Sequence, residues 1–191
     1  MYPFVDGGIT APAGFTASGI HCGIRKNRTK KDLALILSDR PASAVAVYTQ
    51  NLVKGAPLTV TKEHIADGTA RAVVCNSGIA NTCAFDGIEK AEAMCRLAAG
   101  ALGLEAKGGA VASRGVTGPS IDLAPKEAGM PALAAPLSPT GSGDAAEAIM
   151  TTDTRKKEFA VAFPMSGKTC TLGGVAKGSG MIAPNMATML G

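Results

Sequence analysis

Short apolar runs alternate with amphipathic stretches along most of this chain. "DLALILS" (32–38), "SAVAVYT" (43–49) and "ARAVVCNS" (70–77) are apolar or β-branched runs bounded by turn residues, and they predict strands. "GIEKAEAMCRLAAGALGL" (87–104) sets Ile88, Ala91, Met94 or Cys95, and Ala98 at helical spacing. Glu89, Lys90, Glu92 and Arg96 occupy its other faces, and it closes on glycines, as helices commonly do. "GAVASRGVTG" (109–118) reads as a strand entering a glycine turn, and "PKEAGMPALAAPL" (125–137) as a helix broken by Pro131. "SPTGSG" (138–143) is a loop ahead of a helix that starts near Asp144, a good N-cap type. "KEFAVAFP" (157–164) and "KTCTLGGVA" (168–176) alternate and are joined by "MSGK", which predicts a β-hairpin. The sum is an α/β protein with layered sheets.

Composition narrows this picture. A chain of 191 residues suffices for one full domain or a large part of a two-lobed one. With 46% hydrophobic residues, 4% aromatics and no Trp, the core must be built from Ala, Val, Ile, Leu and Met, with 24 glycines permitting close backbone approach. The net charge of +4 suits small anionic ligands and does not imply nucleic acid. Five cysteines without a CxxC pair make a poor disulfide framework and point to a reducing compartment. No basic leader with an apolar core opens the sequence, and no run reaches the ~18 apolar residues of a membrane span, so a cytoplasmic protein is expected. The final stretch, "GGVAKGSGMIAPNMATMLG" (173–191), is apolar and glycine-flanked where natural C-termini are more often polar, and it suggests one piece of something larger.

Several short patterns carry little. "AFPMSGKT" (162–169) matches a relaxed phosphate-loop pattern, but "CTLGG" follows where a helix would have to begin, so a hairpin turn is the better reading. "GSGDAA" (141–146) and "GSGMIA" (178–183) fit GxGxxA loosely; the first follows a Pro-rich loop and the second meets Pro184. The basic run "RKNRTKK" (25–31) reads as a solvated turn. His21 and His64 are the only histidines and cannot build a histidine-rich metal site alone, and "IHC" at His21 and Cys22 reads as packing. No GxSxG elbow occurs.

Thr188 offers different chemistry. A threonine hydroxyl is a weak nucleophile, but at a chain N-terminus it carries its own base, because a free α-amino group titrates near about 7.7 to 8.0. Cutting the chain before Thr188 would create that group; by residue type alone an ordinary buried hydroxyl is equally open.

"KGSGMIAPNMATML" resembles the self-processing site of the bifunctional glutamate/ornithine N-acetyltransferases of arginine biosynthesis, in which scission falls between Ala and Thr. "GITAPAGFTASGIHCGI", "KKDLALI", "NSGIANTC" and "TTDT" with a following lysine resemble blocks of that family in the same order, covering nearly the whole chain. The resemblance implies helices outside stacked sheets and a self-processing threonine enzyme. It makes Ala187 and Thr188 the cleavage pair and Thr188 the nucleophile, and it assigns Thr151 and Lys177, with Thr188, to substrate binding. Arg114 and Gly115 fall on the oxyanion position, where Thr-Gly is usual, and Ile79 stands where asparagine is usual. Residues 1–187 would form the first (alpha) chain and 188–191 the start of the second (beta) chain, the two associating as a heterotetramer of two alpha and two beta chains.

The implied reaction moves acetyl from N-acetylornithine to glutamate through an acetyl-threonine ester. It needs no cofactor or metal, with acetyl-CoA as a further co-substrate candidate, and small amino acids are the ligands. Two other readings stay open: an amidase or aminopeptidase of related fold, and an inactive paralogue kept for binding or assembly.

Overall fold

The computed structural model describes residues 2–178, 186 and 189–191. A four-stranded sheet in the order β1 (Phe15–Ile20), β2 (Leu33–Ser43), β3 (Thr69–Ile79), β4 (Gly109–Val116) forms its centre. β1 and β2 are antiparallel, as are β2 and β3, whereas β3 and β4 run parallel. That last pairing requires a crossover, which helix α2 (Gly87–Leu102) supplies. Gly103 ends α2 in the left-handed region at φ 65°, as the terminal glycines predicted.

The two faces of the sheet are covered differently. Leu33, Leu35, Val74 and Val111 point to one face and meet Ala91, Met94, Cys95 and Ala98 of α2 and Met130 and Leu133 of α3 (Ala124–Ala134). Helix α1 (Ala56–His64) closes that side. Its Thr61 hydroxyl donates to the Val111 carbonyl at 2.8 Å and accepts from the Val111 amide at 2.9 Å. Ala17, Ala34 and Cys75 point to the opposite face, where α4 (Ser142–Ala148) packs through Ala145 and Ala148.

A second sheet, β5 (Lys157–Met165) with β6 (Lys168–Ala176), is the predicted hairpin. Ser166 and Gly167 have φ of 50° and 76°, the two positive values that a two-residue hairpin loop with native twist requires. This disposes of the phosphate-loop pattern, since the Gly-Lys-Thr run lies in a turn and a strand. Val175 and Leu190 pack onto the α4 side of the large sheet, so the hairpin is layered over that face.

Four expectations need correction. "SAVAVYT" forms no strand beyond Ser43; Val45 and Val47 are 94% and 79% exposed, so the apolar run has no sheet face to cover. α3 continues through Pro131, whose ring lies on the exposed side. α4 begins at Ser142 rather than near Asp144, with Gly141 at the N-cap, and Asp144 in its first turn pairs with Lys31. The basic run is not uniformly solvated, because Arg25 is half-buried and bonded across the molecule.

Candidate functional site

The site lies where β3 and β4 end and β6 runs out beside them. Successive residues of a strand face opposite ways, so Arg114 shares the α4 side of the sheet with Ala112, which packs into the cluster there. Cys75 and Ser77 of β3 share that side, and Ser77 pairs in register with Arg114. Gly78 and Gly115 are the next partners in register. A Cβ on Gly115, at φ 136°, would fall 2.2 Å from the Gly78 carbonyl, so only glycine allows the two backbones to approach here.

Arg114 reaches out from this end of β4. Its Nη2 donates to the Met189 carbonyl at 2.6 Å and its Nη1 to the Ser113 carbonyl at 3.2 Å. Nε is buried with no partner among the described residues, as is the Ser77 hydroxyl. Burial holds the guanidinium below its ordinary pKa.

Lys177 is 4% exposed and stands directly after β6. Its amide donates to the Leu190 carbonyl at 2.8 Å and its carbonyl accepts from the Leu190 amide at 3.2 Å, a two-way antiparallel bridge. Burial pushes the Lys177 ammonium below its ordinary pKa; Asp153 acts in the opposite direction, while Arg114 and Lys157 push it further down. Two positive groups thus crowd the segment that contains Met189 and Leu190.

The turn 151–153 completes the group. The Thr151 amide donates to Asp153 Oδ2 at 3.2 Å, and the Gly178 amide donates to Asp153 Oδ1 at 3.0 Å. Lys157 Nζ sits 2.5 Å from the same Oδ1. Burial alone would raise the Asp153 carboxyl, but the Lys157 bond and the two amides outweigh it and bring it down to about 2. Arg25 fixes this turn from the other side, its Nη1 and Nη2 donating to the Met150 and Thr151 carbonyls at 2.9 and 3.1 Å. Arg25 is itself held by its own amide, which donates to buried Asp32 at 2.9 Å.

Of the residues expected from sequence, Arg114, Thr151 and Lys177 gather in one region, and Gly115 lies at the sheet end beside Arg114. Ala187 and Thr188 lie outside the described residues, as does most of "GSGMIA". Asp153 and Arg25 were not singled out, although "TTDT" with a lysine four residues after the aspartate held the signal for the first. The histidines are structural: His21 lies 3.0 Å from Asp32, and His64 bridges the Gly109 carbonyl and the Glu92 carboxylate at 3.0 and 3.1 Å. Among the described residues no group of three His, Cys, Asp or Glu could hold a metal ion.

Residues 16–191 match the ArgJ family. The chain belongs to that family. This ArgJ-family chain is 52% identical over 190 residues to the arginine biosynthesis bifunctional protein ArgJ of Symbiobacterium thermophilum, covering 98% of itself and 47% of that protein. It is 47% identical over 189 residues to the Bacillus subtilis protein of the same name, covering 98% of itself and 46% of that relative. It therefore spans about half the length of the curated relatives it matches. A crystal structure of ArgJ from Bacillus halodurans matches all of it at TM-score 0.89 and 38% identity, with 98% of that chain covered. Ornithine acetyltransferase from Mycobacterium tuberculosis, solved in complex with ornithine, matches at TM-score 0.89 and 34% identity with both chains wholly covered. The α/β layered architecture is that of these structures.

Proposed function

We propose that this chain is the first half of a glutamate/ornithine N-acetyltransferase of arginine biosynthesis, with Thr188 as nucleophile. The observation that carries the reading is the convergence of Lys177, Arg114 and the Asp153-braced turn of Thr151 on residues 189–190, next in the chain to Thr188. Scission between Ala187 and Thr188 would free the Thr188 α-amine to act as its base. Thr188 Oγ then attacks the acetyl carbonyl of N-acetylornithine, passing its proton through the α-amine to the departing amine. The C–N bond breaks, a C–O ester forms, and ornithine leaves. The glutamate amine attacks the ester, the C–O bond breaks, and the proton returns to Thr188.

The roles divide by chemistry. Lys177 and Thr151 hold the amino-acid substrate, the lysine facing its carboxylate. The Gly115 amide and Arg114 Nε serve the oxyanion, Nε being the guanidinium donor with no described partner. No prosthetic group takes part, and acetyl-CoA would be an alternative acetyl donor to the same threonine.

The partner is the second chain of the same precursor, in a heterotetramer of two alpha and two beta chains. Curated relatives about twice as long as this chain, beside solved chains that it covers at 98% and 100%, support a protein worked as two pieces. Five free cysteines support a cytoplasmic setting, and among the described residues no helix is long and apolar enough to cross a membrane.

Intact mass of the full-length product tests this directly. The wild type should appear as two chains divided at Ala187–Thr188, with ping-pong kinetics and an acetylated Thr188 on trapping. Thr188→Ala should stay whole and transfer no acetyl. Splitting in that variant would overturn the assignment, and release of acetate without glutamate-dependent transfer would favour the amidase reading.

A further inference from the structure

Arg114 does more in this geometry than lie near an oxyanion. β4 ends at Val116, and the only covalent route from it to Met189 passes through more than seventy residues, yet one side chain spans the gap. The 2.6 Å contact from Nη2 to the Met189 carbonyl is a short, charge-assisted hydrogen bond at a site already half out of water. Nη1 is tied back to the Ser113 carbonyl, so the planar fork is fixed at its root as well as at its tip.

The neighbouring anchors are few. Leu190 is held by its two-way bridge to Lys177, and a Cβ on Gly178 would strike the Met189 sulfur at 2.1 Å, so Met189 lies close over Gly178. The bridge fixes Leu190, and Arg114 fixes the residue before it. Two consecutive residues tied to different strands lose both translation and twist, whereas one bridge alone would leave a pivot. We propose that Arg114 is a positioning residue: by holding the Met189 carbonyl to the end of β4, its guanidinium sets the path of the segment that carries Thr188. The anchoring stands on the described residues alone; its consequence for the reaction rests on Thr188 being the nucleophile.

The guanidinium geometry explains why a lysine could not substitute. An ammonium offers a point charge but not two coplanar donors aimed at carbonyls on opposite sides. A methionine of similar length keeps the packing and offers no donor.

Amide hydrogen exchange on the full-length protein carrying Thr188→Ala separates anchoring from chemistry, since no reaction occurs there. Adding Arg114→Met should speed exchange at the Lys177 and Leu190 amides by at least about tenfold, the loss expected of a hydrogen bond to a charged group. Exchange in β3 and α2 should be unchanged, and guanidinium ion at millimolar concentration should restore part of the protection. In the Thr188 background, Arg114→Met should slow scission by a similar factor, with Arg114→Lys no better. Unchanged exchange at Lys177 and Leu190, or acceleration spread evenly into β3 and α2, would overturn the proposal. Scission that persists in Thr188→Ala would instead overturn the nucleophile assignment and leave the anchoring as measured.

Discussion

Asp153 is the residue on which most of the site's order depends. Its carboxylate has no exposed side-chain surface, yet it stays ionised because Lys157 and two backbone amides surround it. Held at about 2 against an ordinary 3.8, it contributes stability that is present above the ordinary value and lost as pH falls toward 2. That displacement corresponds to about 2 kcal/mol. Urea titrations of wild type and Asp153→Asn should therefore differ by about this much at pH 6 and converge between about pH 4 and 2. A constant difference across that range would assign the effect to packing instead. The sequence showed Asp153 only as part of a quoted block, and Arg25 only as one of several basic residues. Their partners lie far away, Arg25 reaching residues 125 and 126 positions on, and no local pattern encodes such a pairing. Lys177 and Thr151 were legible through family resemblance rather than through periodicity.

Elements were legible where one face decided their pattern. α2 and β3 meet on a single apolar face, and the alternation of the hairpin strands survives in their register, so sequence and structure agree there. β1 escaped notice because "FTASGI" is built of small and polar residues. Its smallness is its function. A Cβ on Gly19 would fall 2.2 Å from the Asp144 carbonyl, and one on Gly141 would fall 1.8 Å from the Ala17 carbonyl, so α4 lies directly on the strand backbone. α1 escaped because "LTVT" carries strand-forming residues, and Thr61 and His64 override that propensity by bonding to β4. Gly19→Ala should accordingly cost about 2 to 3 kcal/mol by forcing α4 off the sheet. Gly100→Ala, inside α2 with no atom near its added methyl, should instead stabilise by about 0.5 to 1 kcal/mol. Chemical denaturation of the two variants checks both signs at once.

For the whole molecule, the notable feature is an apolar surface that nothing described covers. Phe159, Val161, Phe163 and Met165 alternate onto one face of β5, and Leu172 of β6 stands opposite Val161. The N-terminal segment adds to it: the Val5 amide donates to the Ala160 carbonyl at 3.0 Å, and Tyr2 and Phe4 stack toward Phe163 and Phe159 with ring centroids 5.8 and 6.1 Å apart. Four of the chain's seven Phe and Tyr residues thus share one surface, with Phe4 and Phe159 71% and 67% exposed. A contiguous aromatic patch of this kind is costly to leave in water and is a mark of an interface. The second chain proposed above is the occupant that fits, because relatives of about twice this length contain the missing cover within the same polypeptide. The 191-residue chain alone should bind a hydrophobic dye strongly, and Phe159→Ser with Leu172→Ser should remove most of that signal while leaving stability within about 0.5 kcal/mol, since both side chains are exposed. The full-length product should bind little dye, and the same double substitution there should weaken co-purification of its two chains. Equal dye binding by the full-length protein would place the second chain elsewhere.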